Sequence, residues 1–401
     1  MAAGDGEPEP AVQRPQLQSK NVCVVGGGMA GLAAARELRR EGHAVTVMDR
    51  TSSAYDACLR LRTPREAMGF SDFQFLPRDG AGRDPRRFPG HREVHCYLPD
   101  FCAAFGLMDA VRLNTRVVRV APTSTTTRQR QWAVRSVRRL GGPEDGARVE
   151  EEEEEVVFDA VVVATGQYSH PMLPSGIEGV GEWRRRQLHS RLYRTPEPFR
   201  GEAVVVVGCG DSGTDIALDL RRVAREVHLA ASSEAATPAV SRMVANHGDV
   251  LRLHPRVRRL HADGRVSFAD GSSVVADTVF FCTGYGYSFP FLDTGGAVAV
   301  GDGGCVVAPL FEKMIEFMEE YGDLTPMEDW KEELLLSSMA SMCDDLETFR
   351  DRADDSENVR QGLQGWRGGV DAQAQHMTMA AAAEAEADGQ AMAKKETPQL
   401  N

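Results

Sequence analysis

Two short glycine runs hold the residues that could do chemistry. Gly26-Gly27-Gly28-Met29-Ala30-Gly31 and Gly208-Cys209-Gly210-Asp211-Ser212-Gly213 each place three glycines at the spacing G-x-G-x-x-G. In such an elbow the first glycine permits a tight turn and the second lets a diphosphate approach the backbone. The third lets strand and helix pack closely, and the helix N-terminus attracts the phosphate charge. The chemistry to expect is that of nucleotide-borne groups. Asp49 is placed to hydrogen-bond a ribose hydroxyl of the first nucleotide, and Ser212 can donate to a phosphate of the second. The strand after the second elbow, "EVHLAAS", ends in Ala231, Ser232 and Ser233. With no acid there to take a ribose diol, the second site leans toward a 2′-phosphate, and so toward NADP over NAD.

Each elbow needs a buried strand before it and a helix after it. "NVCVVGGGMAGLAAARELRREGHAVTVMDR" supplies strand, turn, amphipathic helix and second strand from Asn21 onward, and a second such unit follows at 204–232. The fold class read from this is α/β with two Rossmann-like dinucleotide-binding domains, the second inserted in the first. Two sites in one chain suggest hydride passing between two nucleotides, one of them a tightly held flavin: FAD at the first elbow and NADP(H) at the second. The turns "ATG" and "CTGY" mark strands where the chain crosses between the domains, and their Thr165, Gly166, Thr283 and Gly284 are expected to bind FAD. The expected boundaries are a disordered lead at 1–19, a discontinuous FAD-binding domain at 20–175 and 276–370, an NADP-binding domain at 176–275, and a disordered tail at 371–401. Thr325-Pro326-Met327-Glu328 has the form of a capping box opening a helix.

The formal net charge of −13 argues against nucleic acid or an anionic membrane as the main partner, because phosphates would be repelled. No apolar run is long enough to span a bilayer, and the first 20 residues lack a secretory pattern, so a cytoplasmic enzyme is expected. The eight cysteines are scattered, with no C-x-x-C and no zinc spacing, which implies reduced thiols and no metal. The run Glu150–Glu155 reads as the solvated end of a hairpin facing Arg135, Arg138 and Arg139.

Over most of 20–310 the sequence resembles the flavin-containing monooxygenases, in particular the plant S-oxygenating branch that includes glucosinolate S-oxygenases. The resemblance rests on "VVGGGMAGLAAARELRREGHAVTVMDR", "RRFPGHREVHCYLPDFC", "ATGQYSHPMLP", "LHSRLYRTPEPFRG", "VVVVGCGDSGTDIALDL" and "FCTGYGYSFPFLDT". The family motif F-x-G-x-x-x-H-x-x-x-[YF] falls on Trp183, Arg185, His189 and Tyr193. Its implication is that His189, Ser190 and Tyr193 shape the NADP site. Three departures stand out. Residues 50–68 lack the family's Gly-Gly-x-Trp stretch, and Arg62 stands where the family has a flavin-facing Asn. Leu310 leads almost at once into "FEKMIEFMEEYGD", where the family has a long aromatic stretch. Absent blocks inside well-matched sequence suggest a spliced or mispredicted gene product.

The resemblance implies that NADPH reduces FAD, that O2 then forms a C4a-hydroperoxyflavin, and that a soft nucleophile attacks it. That nucleophile is a small-molecule sulfide or amine, with a thioether favoured. A pyridine-nucleotide disulfide reductase would need a redox-active cysteine pair, and none is close in sequence. The other reading left open is a degenerate member with little oxygenase activity, which leaks reducing equivalents or is non-catalytic. Arg62 and the absent segment favour it, and the intact elbows count against it. The sequence does not specify an oligomeric state.

Overall fold

The computed structural model describes residues 18–50, 59–78, 80–123, 131–140, 150–168, 170–174, 176–232, 235–293, 327–352 and 355–367. Contacts divide the chain into two units. One is Met1–Arg50, Ala110–Ala164 and Pro290–Val298, and the other is Thr51–Asp109, Thr165–Phe289 and Ala299–Asn401.

In the first unit the valine-rich run at 21–25 forms β1 (Asn21–Val25), followed by α1 (Met29–Arg40) and β2 (Ala44–Met48). A near-continuous apolar run suits a strand covered on both faces, and parallel neighbours need a crossover of this length. β1 pairs in parallel with β2 from Asn21↔Ala44 to Val25↔Met48. Further along come β3 (Val111–Arg112), β4 (Thr115–Pro122), β5 (Trp132–Leu140), β6 (Glu150–Phe158) and β7 (Ala160–Val163). The order β3-β2-β1-β7 puts β1 inside the sheet, with the chain turning outward on one side and returning on the other. α1 buries Gly31, Leu32 and Ala35 and carries Arg39 and Arg40 in its last turn, where cations suit the helix dipole.

β4, β5 and β6 make an antiparallel sheet whose register sets Arg135 opposite Glu155, Arg138 opposite Glu152 and Arg139 opposite Glu151. Arg135 lies 3.4 Å from Glu153 and Arg139 3.6 Å from Glu151, all four side chains exposed. The glutamate run is thus the solvated, arginine-facing hairpin edge expected from the sequence. Exposed pairs of this kind contribute under about 1 kcal/mol each.

The second unit holds α2 (Arg65–Met68), α3 (Arg92–Ala104), β8 (His170–Pro171), β9 (Arg186–His189), β10 (Ala203–Val207), α4 (Asp211–Leu220) and β11 (Glu226–Ala230). It continues with α5 (Pro238–Asn246), β12 (Leu251–His254), β13 (Val257–Leu260), β14 (Arg265–Phe268), β15 (Ser273–Val275), β16 (Thr278–Phe281) and β17 (Tyr285–Gly286). Last come α6 (Asp329–Asp344) and a helical stretch, α7, at 357–367. Its main sheet is fully parallel in the order β12-β11-β10-β16-β9. β10 is buried along its whole length, and the strand order reverses beside it, which is where α/β sheets bind ligands.

Three expectations change. The boundary at 275/276 falls one strand early, because Thr278–Phe281 pairs in parallel with β10 and completes the second sheet. Residues 59–109 group with the second unit, where the expected domain limits set them with the first. α6 opens at Asp329 with Glu328 as its N-cap and no side-chain cap bond; Thr325 and Pro326 lie outside the described residues. So do 371–401, and 1–19 apart from Gln18 and Ser19. No helix among the described residues is long and apolar enough to cross a membrane, and none of their His, Cys, Asp and Glu side chains cluster as a metal site.

Burial at the β11–β12 edge gives the second unit a pH dependence. His228 Nδ1 and His254 Nε2 are 3.0 Å apart, and the His254 ring stacks on Phe268 with centroids separated by 4.1 Å. The short contact needs one donor and one acceptor, so the two rings are never protonated together, and burial lowers the pKa of both. Burial, helped by the neighbouring His254 and opposed by Glu226, pushes His228 down to about 4. An unfolded histidine titrates near 6.5, so between these values the unfolded chain binds the extra proton. Stability is therefore full above the unfolded value and falls as the pH drops toward 4, by on the order of 1–3 kcal/mol. The unfolding midpoint should fall over that range, and His228→Gln should flatten the slope. Parallel profiles for the two proteins would contradict this.

Candidate functional site

The first elbow lies at the C-terminal end of β1. Gly26 has φ 110°, a left-handed conformation that favours glycine, and its N–H donates to Met48 O at 2.9 Å, pinning the turn to β2. A Cβ on Gly31 would lie 1.9 Å from Gly26 O, so the close approach of α1 to the turn requires glycine there. Gly28 is different. It is the N-cap of α1 at φ −79° and ψ −174°, which any residue adopts, and a Cβ there would meet nothing within 4 Å. Neither backbone conformation nor packing within the chain calls for glycine at 28. What remains is an open cradle beside helix N–H groups that have no intrahelical acceptor and no side-chain cap. Asp49 sits over this turn, its carboxylate accepting from Gly27 N at 2.5 Å. Its backbone is fixed by bonds to Arg112 O and Thr115 N.

The second elbow repeats this geometry at the end of β10. Gly208 has φ 102° and donates to Ala230 O at 2.8 Å. A Cβ on Gly213 would lie 1.9 Å from Gly208 O, and one on Gly208 would lie 2.5 Å from Cys282 O at the end of β16. Gly210, the N-cap of α4 at φ −72° and ψ −169°, again faces open space. Ser212 is half-buried in the first turn. Among the described residues both elbows thus offer what a nucleotide diphosphate needs: a helix N-terminus with no side-chain cap and a glycine that leaves open space before it.

The remaining expected site residues lie in the second unit. Gly166 and Gly284 take φ 74° and 82°, and Thr165 is half-buried. The Thr283 hydroxyl donates to Met172 O, while Gly284 O accepts from Met172 N and from His189 Nε2, each at 3.0 Å. His189 Nδ1 accepts from Arg191 N at 3.2 Å, which makes Nε2 the protonated nitrogen. Burial lowers the His189 pKa, so the ring is a neutral brace between β9 and the 283–286 turn. Ser190 is buried beside it. Tyr193 is buried too, and its hydroxyl donates to Asp219 of α4 at 2.7 Å, with its ring packed against Phe199 and Phe280. Its side chain therefore stands in the core and supports α4 from within. Gly26, Gly28, Gly31 and Asp49 lie in the first unit, and Gly208, Gly210, Ser212, Gly213, His189, Ser190 and Tyr193 in the second.

The buried thiols have no part in this. Burial pushes Cys23 and Cys282 up to about 12, and it raises Cys209 as well, so all three stay protonated. Arg62, expected at a flavin face, is committed to α4. It donates to Asp211 Oδ1 at 2.7 Å, to Thr214 Oγ1 at 2.7 Å, and as a fork to Asp215 at 3.1 and 3.0 Å. Arg350 meets the same Asp215 at 2.7 Å. Sequence reading missed Asp211, Asp215 and Arg350 because nothing local to any of them announces a partner more than a hundred positions away. The segment 51–58, where the family's glycine-tryptophan stretch is absent, and the stretch after Asp293 to 326 lie outside the described residues.

Comparison with known proteins matches residues 20–315 to the pyridine nucleotide-disulphide oxidoreductase family. The flavin-containing monooxygenase FMO GS-OX-like 8 of Arabidopsis thaliana is 46% identical over 327 residues, covering 74% of this chain and 67% of that protein. FMO GS-OX5 of the same plant is 40% identical over 332 residues, 75% of this chain and 68% of that one. The chain thus spans about two thirds of the length of these relatives. Among solved structures, the S-allyl-L-cysteine S-oxygenase of Allium sativum superposes with a TM-score of 0.67 at 29% identity, over 88% of this chain and 100% of that one. A family match that runs through both glycine elbows, with relatives 45–46% identical over about two thirds of their length, makes the chain a member of the flavin-containing monooxygenase family, enzymes that use FAD and NADPH.

Proposed function

We propose that the chain is a cytoplasmic S-oxygenase that uses NADPH and O2 to convert a small thioether to its sulfoxide. The balance is sulfide, O2, NADPH and a proton giving sulfoxide, NADP+ and water. The observation that carries this reading is the repeated open cradle: two elbows of matching geometry, each with a glycine at the N-cap whose missing side chain leaves open space before the helix N–H groups. Gly26, Gly28, Gly31 and Asp49 would hold FAD. Gly208, Gly210, Ser212 and Gly213 would hold NADP(H).

FAD, when bound, supplies acceptance of hydride from the nicotinamide and activation of oxygen, chemistry that no side chain provides. The protein's own work is to bind and orient. The first helix turn donates N–H groups to phosphate, and the Asp49 carboxylate takes ribose hydroxyls. His189, neutral and anchored on Gly284, fixes the turn next to the second elbow without moving a proton. Tyr193, through Asp219, holds α4 so that its N-terminus keeps its aim. Sulfur as the atom oxygenated is supported by the likeness to the S-allyl-L-cysteine S-oxygenase of Allium sativum.

The test is a joint measurement of NADPH consumption and sulfoxide formation with S-allyl-L-cysteine and simple alkyl thioethers. One sulfoxide per NADPH is expected. NADPH consumed with hydrogen peroxide as the sole product would overturn the S-oxygenase reading and leave a leaking flavoprotein.

A further inference from the structure

The two elbows differ in a way that matters to an anion. The first turn of α1 carries no acid, whereas α4 opens on Asp211 and has Asp215 one turn further on. A carboxylate at a helix N-terminus stabilises the helix, but beside a diphosphate it repels the ligand that the terminus would bind. The structure answers these two carboxylates with two guanidinium groups. Arg62 grips Asp215 as a fork and extends its other edge to Asp211 Oδ1 at 2.7 Å, and Arg350 binds Asp215 at 2.7 Å. The Arg62 and Asp215 side chains are only 15% and 10% exposed, so this pairing is weakly screened, while Asp211 is 75% exposed. The fork on Asp215 fixes the guanidinium plane, and that fixed plane aims its remaining edge at Asp211, directly after the cradle at Gly210.

We infer that Arg62 is a positioning residue for the pyridine nucleotide: it neutralises the acidic first turn of α4 and so admits the diphosphate of NADP(H) to the second elbow. The inference rests on the reading of that elbow as the NADP(H) site. It gives the arginine that replaces the family's Asn a job toward the nucleotide instead of the flavin. No such counter-charge is needed within the first turn of α1, which carries no acid.

The experiment is calorimetric titration of NADP+ into the full chain loaded with FAD, at low and at high salt. Arg62→Gln should weaken NADP+ binding about tenfold at low salt, with a smaller deficit at high salt, because an uncompensated Asp211 is then screened. FAD content should not change. Arg62→Gln combined with Asp211→Asn should return the affinity to within about twofold of the parent, an effect a merely structural arginine would not produce. If Arg62→Gln does not fold, Asp211→Asn alone carries the test: with Arg62 retained, it should tighten NADP+ about threefold at low salt. Unchanged affinity in Arg62→Gln, a loss that Asp211→Asn does not restore, or an Asp211→Asn protein that binds no tighter would each overturn the inference. A parent protein that holds FAD but binds no NADP+ would instead show the assignment of the second elbow to be wrong, and the inference would fall with it.

Discussion

Gly28→Ala is expected to leave the fold standing and to remove the flavin. The added Cβ meets nothing within 4 Å, and the φ of −79° suits alanine. The cost to the protein is that of a poorer N-cap, roughly 1 kcal/mol. The cost to a bound diphosphate is much larger, because the methyl group occupies the path along which phosphate oxygens reach the helix N–H groups. Moving the phosphate out of hydrogen-bond range loses several charge-assisted bonds, so FAD affinity should fall by about a hundredfold or more. Flavin retained after gel filtration, read beside the thermal midpoint, checks both halves. A variant that melts a few degrees low yet keeps its flavin would show that the first elbow does not hold that cofactor.

Gly31→Ala should do the reverse and damage the protein directly. Its Cβ would sit 1.9 Å from Gly26 O, a backbone atom of a turn pinned to β2, so α1 must move away from β1. Leu32 and Ala35, both buried on that face, then lose their packing, and the elbow loses its shape. Overpacking against a fixed backbone belongs to the severe class of substitutions, about 4 kcal/mol or more. The same argument holds for Gly213→Ala in the second unit, where the distance to Gly208 O is also 1.9 Å. Urea unfolding should show a large drop in midpoint for either variant, and FAD should not rescue Gly213→Ala. A midpoint like that of the parent would contradict the close helix–strand contact. The contrast between two glycines three positions apart is the useful part: one is there for the protein, the other for a ligand.

How far the sequence could be read depended on how local each signal was. The elbows were legible because turn, cradle and packing glycine all lie within six residues and each has its own physical requirement. The glutamate hairpin was legible because a strand's period of two sets Arg135, Arg138 and Arg139 across from the acidic run. Asp49 was legible as the residue that closes β2. Thr278–Phe281 went to the wrong domain because an apolar run shows that a strand is buried without showing which sheet it joins. Tyr193 was read from the family motif, whereas its burial against Asp219 depends on the tertiary fold. Arg62 was noticed only as a departure from the family pattern, and its partners lie 149 and 153 positions away. No periodicity or motif joins residues at that separation.

The measurement that bears most directly on the account is an anaerobic titration of NADPH into the purified full chain loaded with FAD, followed through the visible flavin absorption, with air admitted at the end. The account predicts a flavin that stays with the protein, is bleached by one equivalent of NADPH, and regains its colour in air with sulfoxide formed when a thioether is present. A chain that retains no flavin, or holds one that NADPH does not bleach, would contradict it.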